Sequence, residues 1–219
     1  MHQSITWRGV FFFLFGIFLI SSGLEAVSIG ASENRCLKAL VIIDAGHGGA
    51  DDGAKMRTAI EKRLTLTTAL LTKKHLEALG FRVILTRSRD IFVSLQKRVA
   101  IANRAKGAIF VSIHFNSAPN RLAKGIEIFY HESKDVHKAN ASKKLGHNIL
   151  QKMIDQTEAH GRGVKKGGFY VIRETTMPSV LVECGFMTNY EERFQLKDRL
   201  YLDKIAQGIA QGVNKFLSL

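Results

Sequence analysis

Four side chains in this sequence can do chemistry together if the fold lets them meet. His47 stands alone among glycines in "IIDAGHGGADDGA" (42–54). His114 closes the apolar run "AIFVSIHF" (108–115), and Glu183 closes another, "SVLVECGF" (179–186). Glu61 opens a helical pattern fourteen residues after His47. A carboxylate inside an apolar run is costly to bury unless something pairs with it, so Glu183 carries more information than a surface glutamate would. Two histidines and a carboxylate make a catalytic zinc shell that keeps a position for water. A further glutamate beside that water can take its proton and return it to a leaving amine. Spacing alone does not say which glutamate ligates and which acts as base. Glu61 also reads simply as a first-turn acid favouring a helix dipole. The glycines at 46, 48 and 49 allow a sharp bend that leaves His47 open to a metal. The acids that follow read as loop caps.

Other chemistries fit less well. Gly48 to Lys55 approaches a phosphate-loop pattern, but Ala54 intervenes, Met56 replaces the hydroxyl residue, and Asp51 and Asp52 would repel phosphate. Cys184 as a nucleophile would sit in an apolar strand that raises its thiol pKa, with no histidine assigned to it. Of the eight histidines, His75, His131, His137, His147 and His160 lie in helical or loop contexts with charged neighbours and are given no role.

The elements that must position these residues follow from periodicity. Continuous apolar runs at 37–44, 81–87 and 108–115 read as buried strands, and "GIEIFY" (125–130) as an alternating one. Helical spacing covers 61–80, ending at Gly80, then 94–107, about 136–154 and about 190–217. "FYVI" (169–172) and 179–186 read as two further strands. The expected fold is a single-domain α/β structure: an open, largely parallel (mixed), twisted sheet with helices on both faces. Ligands in such sheets bind at the carboxyl ends of the strands, where His47, His114 and Glu183 fall.

The chain has 219 residues, of which 46% are hydrophobic and 23% charged, ordinary for a globular protein. Its net charge of +13 is not ordinary and points to anionic surroundings. Residues 1–30 read as a signal peptide or N-terminal anchor. Arg8 precedes the apolar run at 10–20, which is shorter than the roughly 20 residues a bilayer span needs. Removing residues 1–30 takes away Arg8 and Glu25 and leaves the charge at +13. The expected address is exported, in the periplasm or cell envelope, with membrane contact only through 10–20 if the leader is retained. Export and the scattered basic residues argue against nucleic acid and for an envelope polymer. Two cysteines, Cys36 and Cys184, do not make a disulfide framework, and their pairing is left open.

Taken in order, "IIDAGHGGADDGA", Glu61, "LTRSRDIFVSLQKRVAIAN", "VSIHFNSA", "RGVKKGGFYVIR" and "VLVECGFMTN" resemble the zinc-dependent N-acetylmuramoyl-L-alanine amidases of the type-3 amidase family, over about residues 39–217. The resemblance implies His47, Glu61 and His114 as ligands of one Zn2+ and Glu183 as catalytic acid/base. It implies peptidoglycan as substrate, cut between N-acetylmuramic acid and the L-alanine of the peptide stem during wall remodelling or cell separation. It makes 31–219 the catalytic domain. Asn116 is expected as a substrate or outer-sphere group, and Arg87 and Arg98 as structural ion-pair formers. Ala45 stands where the family usually has proline. Only residues 115–182 separate His114 from Glu183, too few for the plugging helix of activator-controlled relatives, so an open groove is expected. A helix at 132–160 that laid a carboxylate on the metal would contradict this. The resemblance leaves room for an envelope activator protein as a partner, and a monomer is the expected state. The competing readings are a zinc peptidase or carboxypeptidase acting on the stem itself, and a non-catalytic wall-binding protein.

Overall fold

The computed structural model describes residues 38–218; the leader, the run at 10–20 and Cys36 lie outside the described residues. Six strands form one sheet in the order β4-β1-β5-β8-β6-β7. These are β1 (Lys38–Ala45), β4 (Phe81–Leu85), β5 (Ile109–Asn116), β6 (Ile126–Tyr130), β7 (Gly161–Lys166) and β8 (Ser179–Phe186). β4, β1, β5 and β8 run parallel, and β6 is antiparallel to β8. A small hairpin, β2 (Lys55–Met56) and β3 (Ala59–Ile60), leads into the first helix.

Strand alternation divides the sheet's two faces. Val41, Ile43, Val111, Ile113, Val180 and Val182 point into the larger core, under helices α1 (Glu61–Ala78), α3 (Val136–Thr157) and α6 (Arg199–Leu217). Ile42, Phe110 and Leu181 point the other way, onto α2 (Leu95–Asn103) and α4 (Tyr170–Glu174). The second face is covered by short helices, and a hollow opens at the carboxyl ends of its strands. Those ends carry Asp44, Ser112, His114 and Glu183.

Helix boundaries follow from capping. Ser94, Asp135 and Asp198 accept from the backbone N–H groups of Lys97, Lys138 and Leu200 at 3.2, 3.1 and 2.9 Å. α1 has no side-chain cap and closes before Gly80, whose φ is +89°. α3 and α6 pack backbone to backbone: a Cβ at Gly212 would lie 2.4 Å from Ile149 Cα, and one at Gly208 2.6 Å from Met153 Cα. Backbone cannot swing aside as a side chain does. Gly212→Ala is therefore expected to lower stability by about 1–3 kcal/mol, read from urea unfolding midpoints at constant slope.

Three sequence expectations are corrected. "FYVI" is not a strand: α4 turns its Val171 and Ile172 into the smaller core. A short apolar run fits a buried helical turn as well as a strand. The buried Lys138 ammonium stabilises that turn's end, donating to the carbonyls of Ile172, Arg173 and Thr175. The stretch before it, where periodicity predicts no strand, contains β7, a polar edge strand whose lysines suit an exposed edge. The helical stretch 190–217 is two helices, α5 (Tyr190–Gln195) and α6, because Asp198 caps the second. Among the described residues no helix is long and apolar enough to cross a membrane.

Candidate metal centre

β1 delivers the chain into the turn at 46–49. His47 sits there at φ +58°, a left-handed conformation that side chains rarely adopt and that costs about 1–3 kcal/mol. Two buried arginines hold it. Arg98 donates to the carbonyls of Ala45 at 2.6 Å and His47 at 2.7 Å, and Arg87 to those of Ala45 at 2.9 Å and Gly46 at 2.7 Å. Arg98 also pairs with Asp44 at 2.6 Å, as expected of it. Arg87 does not: among the described residues its partners are carbonyls and the Thr65 hydroxyl, so it clamps backbone rather than forming an ion pair.

The hairpin aims Glu61. Its Oε2 accepts from Ala54 N–H at 2.7 Å and its Oε1 from Phe115 N–H at 3.2 Å, tying the start of α1 to β5. Oε1 lies 3.0 Å from His47 Nε2 and 3.0 Å from His114 Nδ1. One ligand atom from each of the three residues lies within 4.8 Å of the others, a group that can hold a metal ion. Gly53, at φ +63°, leaves this space open: a Cβ there would stand 2.5 Å from Glu61 Oε2 and 2.6 Å from His47 Cδ2. The donor set is of the kind that binds zinc. Burial alone would raise the Glu61 pKa, but its hydrogen bonds to His114 and His47 outweigh burial and keep the carboxylate ionised. Burial likewise works to lower His47, and the bonds and charges of Glu61 and Asp51 overcome it.

Glu183 is His114's partner in the β5–β8 ladder, and Glu127 is its partner across β6. It lines the same cavity, of about 410 Å³, as His47, Glu61, His114 and Asn116. Among the described residues its Oε2 is buried without a hydrogen-bond partner. Burial pushes its pKa up to about 7; the Glu61 and Glu127 charges push the same way, and those of His114 and His47 oppose. Asn116 is at the cavity's rim with both polar atoms engaged, Nδ2 donating to Glu127 at 2.6 Å and Oδ1 accepting from Ser117 N–H at 2.8 Å. A trio that can hold a metal ion, beside a carboxyl poised to hold or release a proton, is equipped for metal-assisted hydrolysis.

The N-acetylmuramoyl-L-alanine amidase family model matches residues 41–215. The chain belongs to that amidase family. It is 37% identical to N-acetylmuramoyl-L-alanine amidase LytC of Bacillus subtilis over 198 residues, covering 89% of this chain and 39% of that protein. It therefore spans well under half the length of that relative. The solved catalytic domain of the amidase CwlV from Bacillus (Paenibacillus) polymyxa var. colistinus is similar at 39% identity and TM-score 0.76, covering 82% of this chain and 98% of that one. The CwlD amidase of Clostridioides difficile, solved in complex with the GerS lipoprotein, is similar at 32% identity and TM-score 0.77, over 83% and 99%. The mixed α/β sheet of this chain is the fold of those amidase domains.

Within this amidase fold, α3 packs on α6, β6, β7 and β8, and none of residues 132–160 lines the cavity at His47, Glu61 and His114. Sequence reasoning missed two acids that serve the site. Asp51 was expected to cap a loop; it accepts from Gly53 N–H at 3.0 Å, but its other oxygen lies 2.9 Å from His47 Nδ1. Its place four residues after His47 was the available signal. Asp44 was passed over although it closes an apolar strand, the same mark that drew attention to Glu183.

Proposed function

We propose that the protein is a zinc-dependent N-acetylmuramoyl-L-alanine amidase that hydrolyses the amide between the lactyl group of N-acetylmuramic acid and the L-alanine of the peptide stem. The observation that carries this is the convergence of His47, Glu61 and His114 beside a buried carboxyl on the neighbouring strand. In this reading those three residues hold one zinc ion, which when bound supplies Lewis acidity at the scissile carbonyl. Glu183 takes the proton of the attacking water and delivers it to the alanine nitrogen as the C–N bond breaks. Its unpartnered Oε2 supports that role, because nothing else competes for the proton. Asp51 fixes the orientation of His47 through the outer ring nitrogen. Asn116 contacts substrate at the rim through the hydrogen-bonding capacity that Glu127 and Ser117 leave over.

Residues 1–30 direct export in this reading, 31–219 form the catalytic domain, and the enzyme works on the wall outside the cytoplasm. The position of α3 away from the cavity supports an open groove that needs no plug withdrawn. An envelope lipoprotein partner remains compatible with it, as CwlD has one.

The test is digestion of purified peptidoglycan by chelator-dialysed protein, with and without added zinc, with products read by mass. Free stem peptides with a new N-terminal alanine, formed only with zinc, establish the amidase. Zinc-dependent loss of a residue from the far end of the stem would make it a carboxypeptidase. No cleavage with zinc bound would point to a missing activator or to a wall-binding role. Asp51→Ala is expected to weaken zinc binding about 10–100-fold, measured by competition with a chromophoric chelator.

A further inference from the structure

Three cations in a cleft beside the metal-site cavity have no ion-pair partner among the described residues. The β2–β3 hairpin, the loop 117–121 and α5 enclose a second cleft of about 520 Å³. Among the described residues Arg57, Arg121, Arg193 and Lys197 line it, and no carboxylate does. Arg193 is already committed, its Nη1 donating to the carbonyls of Met187, Thr188 and Asn189. Arg57, Arg121 and Lys197 are exposed, and among the described residues none has an ion-pair partner. Three like charges on one concave surface repel one another and focus a positive potential into the cleft. An anion entering it relieves that repulsion.

The cleft continues the metal site. Ser117 lines the site's cavity and Ala118 the cleft; Ala54 lines the one and Met56 the other. A third hollow, which takes in His47 and His114, has a different character. Phe92, Phe169 and Tyr170 line it, and its cation, Arg98, is bound to Asp44. The cleft and this hollow share no lining residue, so the site has a cationic flank and a largely apolar, aromatic one.

The scissile amide has a matching asymmetry. The lactyl carboxyl is consumed in the bond and the N-acetylated sugars are neutral, so the substrate's carboxylates lie along the peptide beyond the alanine. We propose that Arg57, Arg121 and Lys197 form a carboxylate-binding subsite for the stem peptide, on the leaving-amine side of the scissile bond. An extended peptide advances about 3.3–3.6 Å per residue, so the residues next after the alanine reach a cleft that begins beside the cavity's own lining. The proposal rests on the amidase reading.

The test compares a soluble disaccharide–tripeptide with free carboxylates against the same compound with its carboxylates amidated. Both are given to the zinc-loaded protein and to the Arg57→Gln/Arg121→Gln/Lys197→Gln variant, whose thermal melt verifies its fold. The variant is expected to raise KM about ten-fold for the free form, the sum of three exposed ion pairs, with kcat unchanged. It is expected to leave the amidated form unaffected. No change in KM, or an equal change for both forms, overturns the subsite and leaves the amidase standing. Calorimetric binding of the same two compounds separates the two ideas if neither is cut. Binding of the free form that the variant loses keeps the subsite while the amidase reading falls. Equal binding of both forms by the unaltered protein, or binding of neither, overturns the subsite.

Discussion

Glu183→Gln is expected to lower kcat by about 10²–10⁴ while the protein still binds one zinc ion per chain. Glutamine keeps the shape and removes the ability to accept a proton. The ligand atoms that converge belong to His47, Glu61 and His114, with Glu183 beside them in the next strand, so metal content should not follow activity in this variant. Glu61→Gln should behave in the opposite way. Its carboxylate stands 3.0 Å from each histidine, and an amide there is a poor ligand, so zinc is lost together with activity. Metal analysis and peptidoglycan turnover on the two variants separate base from ligand, which sequence spacing could not do. A Glu183→Gln protein that loses its zinc would move Glu183 into the ligand shell and overturn the assignment.

What the sequence made legible was whatever apolar period and strand ends control. The strands that became β1, β4, β5, β6 and β8 were read within a few residues, because each shows a continuous or alternating apolar run. The rule that ligands gather at strand carboxyl ends then brought His47, His114 and Glu183 to one edge. Elements whose identity depends on partners were illegible. α4 is held as a helix by the Lys138 ammonium, more than thirty residues away in the chain, which donates to its carbonyls. β7 has almost no apolar signal and exists because β6 offers a free edge. The same limit applied within the site. The placement of the Glu61 carboxylate between the two histidines depends on a hairpin too short to show in periodicity, and the clamp by Arg87 depends on carbonyls that a twisted turn exposes.

The second large effect lies beneath the metal centre. Asp44 is 1% exposed and Arg98 is 3% exposed. Asp44 accepts from Thr86 and Arg98 on one oxygen at 2.6 Å each, and from Ser112 on the other at 2.7 Å. Removing one partner of such a pair leaves a buried, uncompensated charge. Asp44→Ala is therefore expected to lose about 3–5 kcal/mol of stability near neutral pH, read by urea unfolding. The pH dependence has a definite sign. Burial alone would raise the Asp44 pKa, but the Arg98 charge and the three side-chain hydrogen bonds overcome burial and hold it below the ordinary carboxylate value. A depressed folded-state pKa gives stability that is present above the unfolded pKa, about 3.9, and is lost as pH falls from there through the folded value. The difference in unfolding free energy between the native protein and Asp44→Ala should thus be constant from pH 8 to about 5 and shrink below about 4. A difference that stays constant into strong acid would mean that the aspartate contributes no ionised pair. Arg98 also holds the His47 carbonyl, so slackening the pair releases the turn that keeps His47 in its strained conformation. Zinc affinity should therefore fall in Asp44→Ala although none of the proposed ligands has been altered, and excess zinc should restore part of the lost stability by favouring the folded turn.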